Sequence, residues 1–190
     1  YAKRWKHEQT SGLKNAFMPL KFIHGEAAQF DWSTETVFID GMPRSIKLAH
    51  MKLCSSRAFH LSAYPNEAHE MLFDAHHRAF EAFGGVPKRI IYDNMKTAID
   101  KVLPYKQRTV NARFEVMCSH YLFEPDFCNV ASGWEKGIVE KNVQDTRARL
   151  WHTVRERKWN NWQELNAWLD GNCKAMWQTI THPNCDLTVA

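Results

Sequence analysis

No run of apolar residues in this chain is long enough to cross a bilayer, and no charged, apolar-cored leader opens it. Neither a helical membrane span nor a cleaved secretion signal is therefore expected. There is no C-x-x-C pair: the five cysteines, Cys54, Cys118, Cys128, Cys173 and Cys185, are odd in number and scattered. That pattern argues for reduced thiols in a cytoplasmic protein rather than a disulfide framework. An initiator Met is missing as well, and the abrupt opening Tyr1-Ala2-Lys3-Arg4-Trp5-Lys6 reads as the start of a fragment of a longer protein. Nor is there a strong excess of charge of one sign. Lys and Arg total 25 against 21 Asp and Glu, a mildly basic balance that permits a polyanionic partner without demanding one. What is present is ordinary for a globular protein: 44% hydrophobic and 24% charged residues in 190, enough for one well-buried domain with an appended helical piece.

The stretch around which the chain is organised is Ala27–Trp32, Ala-Ala-Gln-Phe-Asp-Trp, continuing through Thr36-Val37-Phe38-Ile39. Aromatic and β-branched residues predict a first strand, ended by a turn at Asp40-Gly41-Met42-Pro43. Strand side chains alternate between faces, so Phe30 and Trp32 are expected to bury while Asp31 points the other way. Residues 1–21 show no period and read as a basic linker or arm. Ser45–Leu53 and Arg57–Tyr64 alternate apolar with polar and predict two further strands of an antiparallel meander. A helix is expected from Pro65-Asn66-Glu67, with Asn66 as N-cap, to Gly84-Gly85. Its His69, His76 and His77 read as surface or packing residues rather than metal ligands.

Lys88–Tyr92 is a short apolar strand ending at Asp93-Asn94, and strand ends of this kind collect polar ligands. Residues 96–109 read as a basic loop, Asn111–Leu122 as a helix, and Phe123–Cys128 as an edge strand, because Pro125 cannot donate to an interior ladder. A loop at Asn129 then enters a long helix reaching about Arg157. It carries Glu140 and is laced with Lys136, Lys141, Arg147 and Arg149. A last helix starts at Asn161-Trp162-Gln163-Glu164, spaced like a capping box, and its tryptophans read as packing residues. The strand and helix pattern predicts a mixed sheet flanked by helices. Asp31 and Asp93 lie 62 positions apart, and Asp93 and Glu140 lie 47 apart, so only tertiary folding joins them.

Four segments, in order, resemble the IstA branch of bacterial insertion-sequence transposases, within the retroviral-integrase superfamily. They are Gln29-Phe30-Asp31-Trp32; the run from Ala79-Phe80 through Gly84-Gly85-Val86-Pro87 to Tyr92-Asp93-Asn94-Met95-Lys96-Thr97; Lys136-Gly137-Ile138-Val139-Glu140; and Leu165-Asn166-Ala167-Trp168-Leu169. The resemblance covers roughly Phe22 to Trp177. It implies an α/β, RNase H-like core over 22–158 with a C-terminal helical extension over 159–190, and a catalytic triad of Asp31, Asp93 and Glu140 holding Mg²⁺, or Mn²⁺ in its place, as a pair of ions. Glu135 stands close to the last acid, and Glu140 is preferred because it follows Gly-Ile-Val in the family register. The resemblance further implies a DNA transposase that cuts 3′ ends and transfers strands, working as a homo-multimer with an AAA+ ATPase helper in the bacterial cytoplasm. Lys136, Lys141, Arg147 and Arg149 are then the expected phosphate contacts. The alternatives are an RNase H-like nuclease without joining activity and a non-catalytic DNA-binding or assembly module.

Overall fold

A computed structural model describes residues 22–92, 99–102, 108–127, 150–182 and 185–189. Three long alternating segments form the expected meander: β1 (Ala27–Ile39), β2 (Met42–Leu53) and β3 (Phe59–Tyr64), each antiparallel to the next. The β1–β2 link is the Asp40-Gly41 pair, whose φ angles of 52° and 71° are those of a two-residue hairpin turn twisted to match its strands. After helix α1 (His69–Phe83), strand β4 (Arg89–Tyr92) returns parallel to β1. A small antiparallel pair, β5 (Ile99–Val102) and β6 (Arg108–Val110), follows. Helix α2 (Ala112–Tyr121) then leads into β7 (Glu124–Phe127), which lies parallel to β4 at the sheet edge. Helix α3 (residues 150–156), the short β8 (Lys158–Trp159) beside the far end of β1, and α4 (Trp162–Thr179) complete the described chain. The sheet runs β3-β2-β1-β4-β7, mixed and flanked by helices as the sequence predicts.

The pleat divides the core in two. On one side Ala28, Phe30, Met51, Ile90 and Tyr92 meet Leu72, Ala75 and Phe80 of α1 and Phe114 and Met117 of α2. On the other side Val37, Ile39, Ile46, Leu48 and Leu61 meet Leu150, Trp151 and Val154 of α3 and Leu165, Leu169 and Cys173 of α4. Trp159 is 1% exposed there, its ring 5.5 Å from that of Trp168, and Trp162 and Trp177 pack against the same cluster, so the tryptophans of this half do pack.

Two elements differ from the sequence reading. Residues 96–109 contain strands β5 and β6 rather than only a loop; alternation over three or four residues is too short to register as a period. Helix α1 begins at His69 and not at the Asn66 cap. Asn66 Oδ1 instead accepts the Ala68 N–H at 2.9 Å, closing a turn just ahead of the helix. At the other end Gly84, with φ 71°, caps α1 as expected. Asn161 Oδ1 accepts the Glu164 N–H at 2.8 Å, and Glu164 reaches back to the N–H of Asn160 at 2.9 Å, one residue earlier than a standard capping box. Most of the predicted long basic helix lies outside the described residues.

Helix α4 also answers a problem of sheet geometry, since β3 is an edge strand with unpaired backbone groups. Asn166 supplies both halves of the missing ladder: its Oδ1 accepts the Ala63 N–H at 2.7 Å and its Nδ2 donates to Ala63 O at 3.0 Å. Further along, Trp177 Nε1 donates to Phe59 O at 2.8 Å. Replacing Asn166 with Ala leaves both Ala63 groups without those partners. The expected cost is about 1–3 kcal/mol of unfolding free energy, measured by urea denaturation, with Asn166→Asp recovering only the N–H bond.

Candidate active site

The site is built from β1 outwards. Asp31 is exposed between buried Phe30 and half-buried Trp32, and its Oδ1 accepts the Trp32 N–H at 2.8 Å. Asp31 lies opposite His50 of β2 in the antiparallel register. By the period of two it shares a face with Glu35, Val37 and Ile39. Helix α3 covers that face further along: Arg155 Nη2 contacts the buried Glu35 carboxylate at 3.2 Å, while Leu150 and Val154 pack with Val37 and Ile39. Residues 150–156, the described part of the stretch predicted as the long basic helix, thus lie on the Asp31 side of the sheet.

Strand β4 is held in register with β1 by both polar and apolar contacts. Arg89, at its start, donates to Glu26 at 3.2 Å and to Asp126 of β7 at 2.9 Å. The Ile23 N–H and Arg89 together hold the Glu26 carboxyl below its usual range. At the other end Tyr92 pairs with Phe30. Both touch His76 of α1, which is fully buried. The Phe30 ring stacks on the imidazole at 4.5 Å, and the Tyr92 hydroxyl lies 2.8 Å from Nε2. Because Nδ1 lies 2.8 Å from the Leu72 carbonyl, which only accepts, Nδ1 carries the proton and Nε2 receives the Tyr92 O–H. One neutral imidazole therefore ties together the strand positions that precede Asp31 and Asp93.

Of the residues singled out in the sequence, Asp31 is described and stands where expected. Asp93, Glu140, Lys136, Lys141, Arg147 and Arg149, with the rival Glu135, lie outside the described residues. Among the described residues no group of three His, Cys, Asp or Glu is arranged to hold a metal. The Asp31 carboxylate does offer the hard oxygen donors that Mg²⁺ or Mn²⁺ takes, in an exposed position where a phosphate and water can complete the shell. His77, one of the three helix histidines, instead meets Glu81 at 3.5 Å and Tyr121 at 3.1 Å. Sequence reasoning did not single out Lys52, which is only 6% exposed on the face of Asp31; the signal available was that it falls in phase with the apolar Ile46 and Leu48 of the same strand.

A groove of about 480 Å³ opens elsewhere, between β3, α1 and α4. In it His60 Nε2 lies 3.4 Å from Asp170 and His60 Nδ1 lies 3.5 Å from Ser62 Oγ. Burial pushes His60 down to about 4, so at neutral pH this contact is a hydrogen bond to a neutral ring and not an ion pair.

Three comparisons bear on the site. The integrase core domain family matches residues 27–132. The chain is 53% identical over 194 residues to the transposase for insertion sequences IS1326/IS1353 of Pseudomonas aeruginosa, covering 100% of this chain and 38% of that protein. It is 50% identical over 195 residues to a transposase of Aminobacter aminovorans, with the same shares covered, and 31% identical over 142 residues to the transposase for IS21 of Pseudomonas aeruginosa, covering 75% of this chain and 36% of that protein. The chain thus spans about 38% of the length of the curated relatives that it matches most fully. In fold it is similar to the HTLV-2 integrase catalytic core solved with magnesium (TM-score 0.61, 12% identity, 90% of this chain and 97% of that one). It is also similar to a chain of the simian T-cell lymphotropic virus intasome solved with PP2A regulatory subunit B56 gamma (TM-score 0.65, 13% identity, 90% and 57%). The sheet order and strand directions described above are those of this RNase H-like architecture.

The buried histidines give a pH prediction. His60 and His76 are both lowered by burial to about 4, whereas an unfolded histidine titrates near ~6.5. As pH falls, the unfolded chain therefore binds these protons first. Stability from keeping the rings neutral is complete above ~6.5 and is lost progressively down to about 4. Urea midpoints measured from pH 7 to 4.5 should fall across that window, and His60→Gln should flatten the fall by about one proton's share of the slope.

Proposed function

This chain belongs to the integrase core domain family, and on that footing we propose that it is the catalytic core of an insertion-sequence transposase, with Asp31, Asp93 and Glu140 as its three acids. The observation that carries the reading is the parallel pairing of Phe30 with Tyr92: the next residue in sequence after each is an acid. The α3 helix on the Asp31 face of the sheet supports bringing in Glu140, ten positions before its described start. The neighbouring integrase core solved with magnesium supports a divalent ion.

Asp31, Asp93 and Glu140 would hold two Mg²⁺ ions, or Mn²⁺ in their place, Asp31 serving both. When bound, such a pair stabilises the entering and leaving oxygens of an in-line displacement at phosphorus. The chain's own contribution is placement. The Trp32 N–H fixes one Asp31 oxygen at 2.8 Å, and the imidazole of His76 anchors both strand positions that precede the acids. Water attacks the phosphodiester at the end of the element, the P–O3′ bond breaks, and a 3′-OH and a 5′-phosphate result. The 3′-OH then attacks a phosphodiester of the target strand in the same site, exchanging one P–O bond for another. No covalent protein intermediate is needed.

Lys136, Lys141, Arg147 and Arg149 are the proposed contacts to the DNA backbone beside Glu140. Action as a homo-multimer on paired ends, with an AAA+ ATPase helper, belongs to the same proposal.

Asp31→Asn, Asp93→Asn and Glu140→Gln should each abolish Mg²⁺-dependent strand transfer while the melting temperature holds, and retained joining would remove that residue from the triad. A pre-cut 3′ end as substrate separates a transposase from a nuclease, which would cut but never join. Replacing Lys136, Lys141, Arg147 or Arg149 with Ala should weaken DNA binding across all sequences and reduce its salt slope by about one each.

A further inference from the structure

Burying an ammonium group away from water disfavours its charged form, and an arriving anion relieves that cost. Lys52 is in this position. It is 6% exposed, and among the described residues it forms no ion pair. It pairs in register with Gln29, two residues along from the His50–Asp31 pair, so its side chain leaves the sheet on the Asp31 face, about 7 Å from that pair along the strand.

A second cation, Arg57, acts on it electrostatically. Arg57 follows β2 in the tight connection to β3, with φ 69°, a left-handed conformation that side-chain-bearing residues rarely adopt. The connection is fixed by the backbone bonds Leu53 N–H to Ala58 O at 2.8 Å, Arg57 N–H to Leu53 O at 3.1 Å and Cys54 N–H to Ala27 O at 2.9 Å. The Arg57 Nε is buried and, among the described residues, has no hydrogen-bond partner. Among the described residues, neither Cys54 nor Glu26 supplies a free counter-charge. Burial pushes the Cys54 thiol up to about 11, so it stays neutral, and the Glu26 carboxylate is engaged by the Ile23 N–H at 3.0 Å and by Arg89. Burial, and then the Arg57 charge, bring Lys52 down to about 8, which leaves it charged at neutral pH and poorly solvated.

We propose that Lys52 and Arg57 form an anion cradle on the Asp31 face that takes a phosphodiester of the DNA strand entering the active site. The assignment to DNA rests on the reading above that this face receives a nucleic-acid substrate; the cradle itself stands on the two cations and the unpartnered Arg57 Nε. A phosphate one pleat away from Asp31 fixes the strand's position relative to the acid without reading its sequence.

Lys52→Met tests this, because it keeps the length and apolar stem of the side chain and removes the charge. In DNA-free protein it should raise the melting temperature by a few degrees, since a buried cation without its anion is gone. With EDTA present, so that no chemistry occurs, it should weaken duplex DNA about tenfold and make the dependence of log affinity on log salt shallower by about one. Lys52→Arg should restore the slope. A lower melting temperature would mean that the ammonium already has a partner in the free protein, and an unchanged salt slope would mean that no phosphate reaches it; either overturns the proposal. Inorganic phosphate that stabilises the wild type but not Lys52→Met, with the DNA slope unaltered, would assign the cradle to a free anion and overturn the DNA assignment. Because binding is read without strand cutting, a protein inactive in joining whose Lys52→Met variant still loses one unit of slope sinks the transposase reading and leaves the cradle. An active protein whose variant keeps its slope does the reverse.

Discussion

The molecule depends on the register of β4 against β1. Side chains alternate with a period of two, so a slip of one residue would turn the buried Ile90 and Tyr92 to the opposite face and put Ile91 in their place. Several independent contacts prevent it. Arg89 is locked at the start of β4 between Glu26 and Asp126, Ala28 and Ile90 are fully buried side by side, and His76 joins the far end through the Phe30 ring and the Tyr92 hydroxyl. The apolar layer beneath the sheet thus determines where the polar chemistry above it points. The imidazole is suited to the task because burial keeps it neutral, with one donor and one acceptor, and both are used inside the core.

The two faces of the sheet divide the work. Helices α1 and α2 seal the Phe30 side with aromatic and aliphatic contacts. The Asp31 side is covered at its far end by α3 and α4, whose Asn166 and Trp177 also close the exposed edge of β3. Asn166 lies within the Leu-Asn-Ala-Trp-Leu segment that carries part of the family resemblance, and its role is architectural: an amide side chain stands in for a neighbouring strand. The remaining length of the Asp31 face is polar, with Asp31, His50 and Lys52 in adjacent register.

Much of this was legible in the residues. The meander, the hairpin at Asp40-Gly41, the helix stop at Gly84 and the edge position of the Pro125 strand all follow from local chemistry, where a side-chain period or a backbone preference acts within a few residues. What was not legible is long-range. Apolar with polar alternation in Ser45–Leu53 predicts the strand but changes phase at Ala49, so it did not mark Lys52, whose 6% exposure only the folded structure shows. Nothing near Asn166 announces a bond to Ala63, 103 positions away. The choice of Asp31, Asp93 and Glu140 from 21 acidic residues came from the order of short motifs, not from any property of the acids themselves.

If three acids converge beside a DNA phosphate, their collective charge is what gives the site its affinity for divalent ions. The most direct test is a crystal of the protein grown with Mn²⁺ and measured for anomalous scattering. The account predicts a peak in direct contact with the Asp31 carboxylate and shared with Asp93, and a second peak on Asp31 and Glu140. Manganese bound elsewhere with the Asp31 carboxylate bare, or Asp93 and Glu140 on surfaces remote from it, would contradict it.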